Sequence, residues 1–312
     1  MNSFYAHGKL LLSAEYLVIY GSKALALPLK LGQSLERVRP DNRNIFAWNA
    51  YYQDEPWFSA RLDPATLKVL ETSDQTMASR LQEMIRACIE LIPDFQQELF
   101  RWDAVTRLDF SPEYGFGSSS TLTALLAEWA EVNPLDLHFM VSEGSGYDVA
   151  CALAEGPILY HLRDNTPQYR QIPFHPPFLD QLYFAWLGKK QPTASHLAQV
   201  SGRLNPGSET IHRFSQLTMA MVEASTLSEF RLVMEEHEEA LSHILGIERI
   251  STRFEGLPGS IKSLGAWGGD FVMIATEAEE EFLKKYLSHR HIQAFYRYKD
   301  LVYEGTDIQQ DP

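Results

Sequence analysis

The chain is short of most features that would assign it to a specialised class. It has two cysteines, Cys88 and Cys151, far apart in sequence. That is too few for a disulfide-stapled scaffold and fits a reducing compartment, so a cytoplasmic protein is expected. It has no excess of positive charge: 27 Lys and Arg stand against 41 Asp and Glu, for a net charge of −14. A phosphate backbone would be repelled, and no nucleic-acid partner is expected. A small phosphate ligand is not excluded, because local backbone N–H groups and a divalent cation can outweigh the global charge. A long apolar run is also missing. The segment MNSFYAHGKLLLSAEYLVIYGSKALALP is apolar in places, but His7, Lys9, Glu15 and Lys23 interrupt it and no small-residue cleavage site follows. It therefore reads as neither signal peptide nor membrane span, and the expectation is a soluble chain with no membrane partner. No internal repeat or low-complexity segment is present.

Several common catalytic signatures are absent too. There is no GxxxxGK[ST] stretch, GFGSSS lacks the third glycine of a dinucleotide fingerprint, and no GxSxG elbow occurs. EEHEEALSH, residues 235–243, lacks HExxH spacing and reads as the solvated acidic face of an exposed helix.

What is present is an ordinary globular composition, 45% hydrophobic and 22% charged over 312 residues, long enough for two domains. Residues 9–20 and 24–40 read as strands, NIFAWNAYYQDEPWFSARL as a hairpin turning at Asp54–Pro56, and Met77, Leu81, Met84, Ile85, Cys88 and Leu91 as one helix face. AVTRLDFS is a short strand feeding a helix marked by Leu122, Leu125, Leu126 and Trp129. SEGSGYDVACALAEGPILYH reads as loop, short helix and strand. The proline-rich run at 171–180 is the best boundary, dividing the chain into domains at 1–176 and 177–312. Beyond it come the strand LYFAWLG, helices near 208–224 and 228–245, and SIKSLGAWGGDFVMIAT as loop then strand. A charged helix at 277–287 and a last strand, QAFYRYKDLVYE, complete the chain. The pattern is α+β with one helical layer.

The chemistry concentrates in glycine-rich clusters. Gly115, Phe116, Gly117, Ser118, Ser119 and Ser120 stand immediately before a helix pattern. Glycines let backbone approach a ligand, and N–H and hydroxyl groups at a helix start favour an anion. An N-cap serine would stabilise the helix by about 1 kcal/mol, yet a cap accounts for one serine and not for three with two glycines. Asp148 follows a second cluster, GSGYD, either as a first-turn helix residue or as a carboxylate that accepts a hydroxyl proton.

In order and spacing, HGKLLLSAEY, PEYGFGSSST, GSGYD and KSLGAWGGDFVMIA resemble the signatures of the GHMP kinases, the family of galactokinase, homoserine kinase, mevalonate kinase and phosphomevalonate kinase. The resemblance covers nearly the whole chain. Glu15 with Tyr16, GSGYDVACAL, GGD and WLGKKQPTASHLAQV look most like the mevalonate and phosphomevalonate branch. The resemblance implies a ribosomal-protein-S5-like N-terminal α/β domain, a ferredoxin-like C-terminal α+β domain and a site between them. It implies ATP and Mg²⁺ as cofactors, with Gly115, Gly117, Ser118, Ser119 and Ser120 on the phosphates and Ser119 on the metal. Asp148 and Lys9 would be catalytic; Glu15, Tyr147, Lys189, Gly265, Trp267, Gly268 and Gly269 would meet the acceptor, a small-molecule alcohol or phospho-alcohol. The alternatives are a buried structural role for Glu15, surface positions for Lys9 and Lys189, and a hairpin turn for Gly265, Gly268 and Gly269. Mevalonate or phosphomevalonate, in isoprenoid precursor synthesis, is the expected acceptor. A kinase of this family for another alcohol, a sugar or an amino-acid derivative, or a non-catalytic nucleotide-binding homologue, is the alternative. A monomer or homodimer is expected.

Three departures stand out. Ala14 replaces the usual Gly, Ser120 the usual Ala, and Trp267 a usual Gly. Neither Asp136 nor Glu143 aligns with the second metal-binding carboxylate of mevalonate kinase.

Overall fold

The computed structural model describes residues 2–188, 204–265 and 271–305. The chain divides into two compact units that interleave in sequence. One comprises Met1–Gly8, Leu31–Pro112 and Phe116–Leu153; the other comprises Lys9–Lys30, Glu113–Gly115 and Ala154–Pro312. The proline-rich run at 171–180 lies within the second. Two early strands, β1 (Ser3–Leu11) and the long β2 (Ala24–Val38), contribute residues to both.

In the first unit the end of β2 pairs antiparallel with β6 (Asp103–Leu108), from Gln33 opposite Leu108 to Val38 opposite Asp103. Next to β6, and parallel to it, runs β3 (Phe46–Tyr52), followed outward by β4 (Glu55–Leu62) and β5 (Val69–Thr72). The β3–β4 hairpin closes through two residues with positive φ, Gln53 at 50° and Asp54 at 64°, the twist a two-residue hairpin needs. Helix α1 (Gln75–Leu91) starts where the Asp74 carboxylate accepts from the Met77 N–H, and it buries Leu81, Met84, Ile85 and Cys88. After the short α2 (Phe95–Glu98), α3 (Ser118–Ala130), α4 (Pro134–Val141) and α5 (Tyr147–Ala152) pack with α1 as one helical layer. Phe46, Trp48, Leu81, Ile85, Leu125 and Trp129 fill the space between this layer and the strands.

In the second unit the start of β2 pairs with β7 (Ile158–Arg163), and β7 with β8 (Thr166–Gln171). A separate antiparallel sheet orders β10 (Ser260–Leu264), β11 (Phe271–Ala275), β9 (Leu182–Trp186) and β12 (Phe295–Arg297). Counted along the chain from β9, the order is 4-1-3-2, as in a split βαβ ferredoxin-like arrangement. Helices α6 (Ser208–Glu223) and α7 (Leu227–Leu245) fall between β9 and β10, and α8 (Glu280–Ser288) between β11 and β12. A capping box opens α7: Thr226 Oγ1 accepts from the Glu229 N–H, and the Glu229 carboxylate accepts from the Thr226 N–H. Among the described residues no helix is long and apolar enough to cross a membrane.

Four local expectations are corrected. The strand reading of residues 9–20 fails beyond Leu11, because Ala14 and Tyr16 adopt φ of 60° and 64° and a short 3-10 turn follows at Val18–Tyr20. SIKSL is strand β10, not loop; its residues are buried throughout, so it lacks the period-2 signal of a half-exposed strand. QAFYRYKDLVYE holds the short β12 and then a helical turn, α9 (Tyr298–Leu301), which buries Tyr298 and Leu301. Residues 235–243 are not simply a solvated face: Glu235, Glu236 and Glu239 are exposed, whereas His237 and Glu238 are buried.

Candidate functional site

The glycine–serine stretch turns into α3 without a side-chain cap. Gly115 and Gly117 take φ of 70° and 90°, and Gly117 occupies the N-cap position. Phe116 between them is fully buried and packs edge-on against Phe110, with ring centroids 5.6 Å apart. The three serines then divide their work. Ser120 is buried and donates its hydroxyl to the Gly117 carbonyl at 2.8 Å, locking the loop to the helix. Thr121 donates to the Gln33 side chain on β2 at 2.6 Å. Ser118 is half-buried and Ser119 exposed, and among the described residues neither hydroxyl is engaged. The first-turn N–H groups of α3 thus stay open as donors, with the helix dipole behind them. The simple N-cap reading of a serine is therefore excluded here. Replacing Gly117 by Ala forces a Cβ into the left-handed region and should cost about 1–2 kcal/mol, read as a lower urea midpoint.

Asp148 and Tyr147 belong to the same unit. Gly146, with φ of 83°, caps α5 without a side chain, and Asp148 stands in the first turn, half-buried, its Oδ1 accepting from the Val149 N–H at 3.0 Å. Gly146 is pressed against α4: a Cβ there would lie 2.9 Å from Leu135 Cδ2. His138 on α4 meets the Gly144 carbonyl at 3.2 Å. Helices α3 and α5 pack against each other, so the serine-bearing and aspartate-bearing helix starts share one packed layer.

Lys9, Glu15 and Gly265 belong to the second unit. Lys9 is half-buried on β1, and Gly265, with φ of 68°, directly follows β10. Glu15 is 1% exposed and forms an ion pair with Lys262, itself fully buried on β10. His237 completes the group, its Nε2 lying 3.5 Å from Glu15 Oε2 and accepting from the Ala14 N–H at 2.9 Å. That bond puts the ring proton on Nδ1. Burial, with Lys262 adding to it, pushes His237 well below its ordinary value, so the ring is neutral near pH 7. Burial raises Glu15 to about 7, against the opposing pull of Lys262. Glu238, also raised by burial, accepts from the N–H groups of Ile250 and Ser263 and from the Ser263 hydroxyl. A cavity of about 380 Å³ in the same unit is lined by Tyr114, Trp186, His291, Gln293, Phe295 and Tyr296. Lys189, Trp267, Gly268 and Gly269 lie outside the described residues.

The sequence reading quoted Lys262 only as the first residue of KSLGAWGGDFVMIA, without a role, and misjudged His237 and Glu238. A signal existed for the latter pair. Phe230, Met234 and Leu241 form the apolar stripe of α7, and positions 237 and 238 fall on that stripe at helical spacing.

No family model matches the chain, and no curated protein matches it by sequence. Solved structures do. The phosphomevalonate kinase of Streptococcus pneumoniae, in complex with phosphomevalonate and AMPPNP, superposes with a TM-score of 0.72 at 17% identity, covering 95% of this chain and 100% of that one. The mevalonate kinase of Methanococcus jannaschii gives 0.68 at 17% identity over 94% of this chain and 96% of that one. The galactokinase of Lactococcus lactis, complexed with galactose, gives 0.61 at 11% identity over 97% and 94%. At these identities the likeness is one of fold, and the fold is that of the GHMP kinases.

Proposed function

We propose that this chain, which has the fold of the GHMP kinases, is an ATP-dependent small-molecule kinase that phosphorylates an alcohol, mevalonate or phosphomevalonate. One observation carries the reading: α3 begins at two positive-φ glycines, uncapped, with the Ser118 and Ser119 hydroxyls unengaged. Such a start offers an anion backbone donors, hydroxyls and the positive end of a helix dipole together.

In this reading the ATP phosphates rest on Gly115, Gly117, Ser118 and Ser119, with Ser120 offering only its backbone N–H; its buried hydroxyl, bonded to the Gly117 carbonyl, fixes the loop together with Phe116 and Thr121. Ser119, exposed and unengaged, fits as a hydroxyl ligand for Mg²⁺. Among the described residues no group of three His, Cys, Asp or Glu forms a cage for a metal, so phosphate oxygens would supply much of the remaining coordination. Mg²⁺ held at Ser119 would supply charge neutralisation for the phosphates. Asp148 orients the acceptor hydroxyl and accepts its proton, Lys9 stabilises the developing charge, and the γ-phosphoryl moves in line. Tyr147, Lys189, Gly265, Trp267, Gly268 and Gly269 are assigned to the acceptor side by the same resemblance; Glu15 is withdrawn from that set, because it is buried and its carboxylate is paired with Lys262.

Ser119→Ala should raise the KM for Mg·ATP about tenfold, as expected for a lost hydrogen bond to a charged group, and steepen the Mg²⁺ dependence of turnover. Initial rates at varied Mg²⁺ check it. The reading as a whole is tested by ADP release with mevalonate, phosphomevalonate, homoserine and galactose. Turnover should favour one of the first two. A second reading, a kinase for a sugar alcohol, is supported by the fold shared with galactokinase and a heptose 1-phosphate kinase; it gains if galactose or a heptose derivative turns over fastest. ATP binding without release of ADP on any acceptor would sink the kinase reading.

A further inference from the structure

One turn of α7 reaches two separate segments of the second unit. His237 accepts from the N–H of Ala14, inside the segment that follows Lys9 and carries the left-handed Ala14 and Tyr16. Glu238, the next residue, accepts from the N–H and hydroxyl of Ser263, two residues before Gly265. Lys262 ties the segments directly, donating to Glu15 and to the Ser263 carbonyl at 2.9 Å. All four ionisable groups are buried, and among the described residues His237 Nδ1 and Glu15 Oε2 have no hydrogen-bond partner. An apolar cluster of similar volume would stabilise a fold at least as well, so a charged one is better explained by the geometry it imposes.

We propose that Glu15, His237, Glu238 and Lys262 are positioning residues that hold the Lys9–Tyr16 segment and the Ser263–Gly265 segment in one fixed arrangement. The proposal rests on the kinase reading, because it makes these two segments the acceptor-side elements of the site. Ala14 shows why a tie is needed. An alanine in the left-handed region leans toward extended backbone, and the His237 acceptor on its N–H opposes that escape.

The test compares His237→Leu, which removes the acceptor, with His237→Gln, whose amide oxygen restores it. His237→Asn, too short to reach Ala14, replaces the Leu variant if that one does not fold. Amide exchange is followed at Ala14 and along α3, alongside kcat, acceptor KM and nucleotide affinity in the full chain. In His237→Leu, Ala14 should exchange about tenfold faster, the equivalent of one buried hydrogen bond. Acceptor kcat/KM should fall by a similar factor, with α3 protection and nucleotide affinity unchanged. His237→Gln should return both towards the parent. Acceptor kinetics that stay at the parental value, Leu and Gln variants that behave alike, or nucleotide affinity that falls in parallel would each overturn the proposal. If the parent phosphorylates no acceptor, the kinase reading fails by itself; unchanged Ala14 exchange in His237→Leu would then still refute the tie.

Discussion

Asp148→Asn is expected to lower kcat by about 10²–10⁴-fold, the range for losing a positioned proton acceptor, while nucleotide affinity holds. The substitution keeps the size and the polar contacts of the side chain. Its Oδ1 can still accept from the Val149 N–H, so the start of α5 should persist and any loss reflects chemistry rather than folding. What disappears is basicity. Steady-state rates on the preferred acceptor, with ATP affinity measured separately, check the split. A variant with parental kcat would remove Asp148 from the mechanism, and one that also loses ATP affinity would make it a phosphate-side residue.

The second large effect concerns stability. Lys262→Met should cost about 3–5 kcal/mol, because it leaves Glu15 and Glu238 buried without a cation. The loss should depend on pH in a definite direction. Burial already raises Glu15 in the folded chain to about 7, above its ordinary 4.5, so the folded state holds more protons than the unfolded one between those values. Its contribution to stability therefore falls as pH rises through that window. Removing Lys262 takes away the group that pulls Glu15 and Glu238 down, so both carboxyls move higher and the fall extends to higher pH. Urea unfolding of parent and variant should thus differ more at pH 8 than at pH 5. Equal losses at the two values would show that the carboxylates are not held charged by Lys262.

The sequence carried the architecture where local rules suffice. The α1 face repeats at helical spacing, and the β3–β4 hairpin was visible in its aromatic alternation, with the turn at Gln53 and Asp54 rather than Asp54–Pro56. Each signal lies within a few residues. The serine-bearing helix start was legible for the same reason. The role of Lys262 was not, because nothing near it in KSLGAWGGDFVMIA marks its partner, Glu15, which the fold brings from 247 residues away. His237 and Glu238 show a different failure: four carboxylates in EEHEEALSH suggested a solvated face, while the apolar stripe through Met234 and Leu241 turned two of the residues inward. The strand β10 was hidden by complete burial, which erases alternation.

The interleaving of the units bears on how the chain is made. The first unit draws on nothing beyond Leu153, so its strands and helices can assemble while later residues are still being synthesised. The second unit needs Lys9–Lys30 together with strands that end near residue 297. Its central ion pair closes a separation of 247 residues. For most of translation the segment around Glu15 therefore waits with its carboxylate in water, and it is desolvated only when Lys262 arrives. A contact of such long range carries a large loop-closure cost, so the second unit is expected to close after the first, with the early segment exposed in the interval.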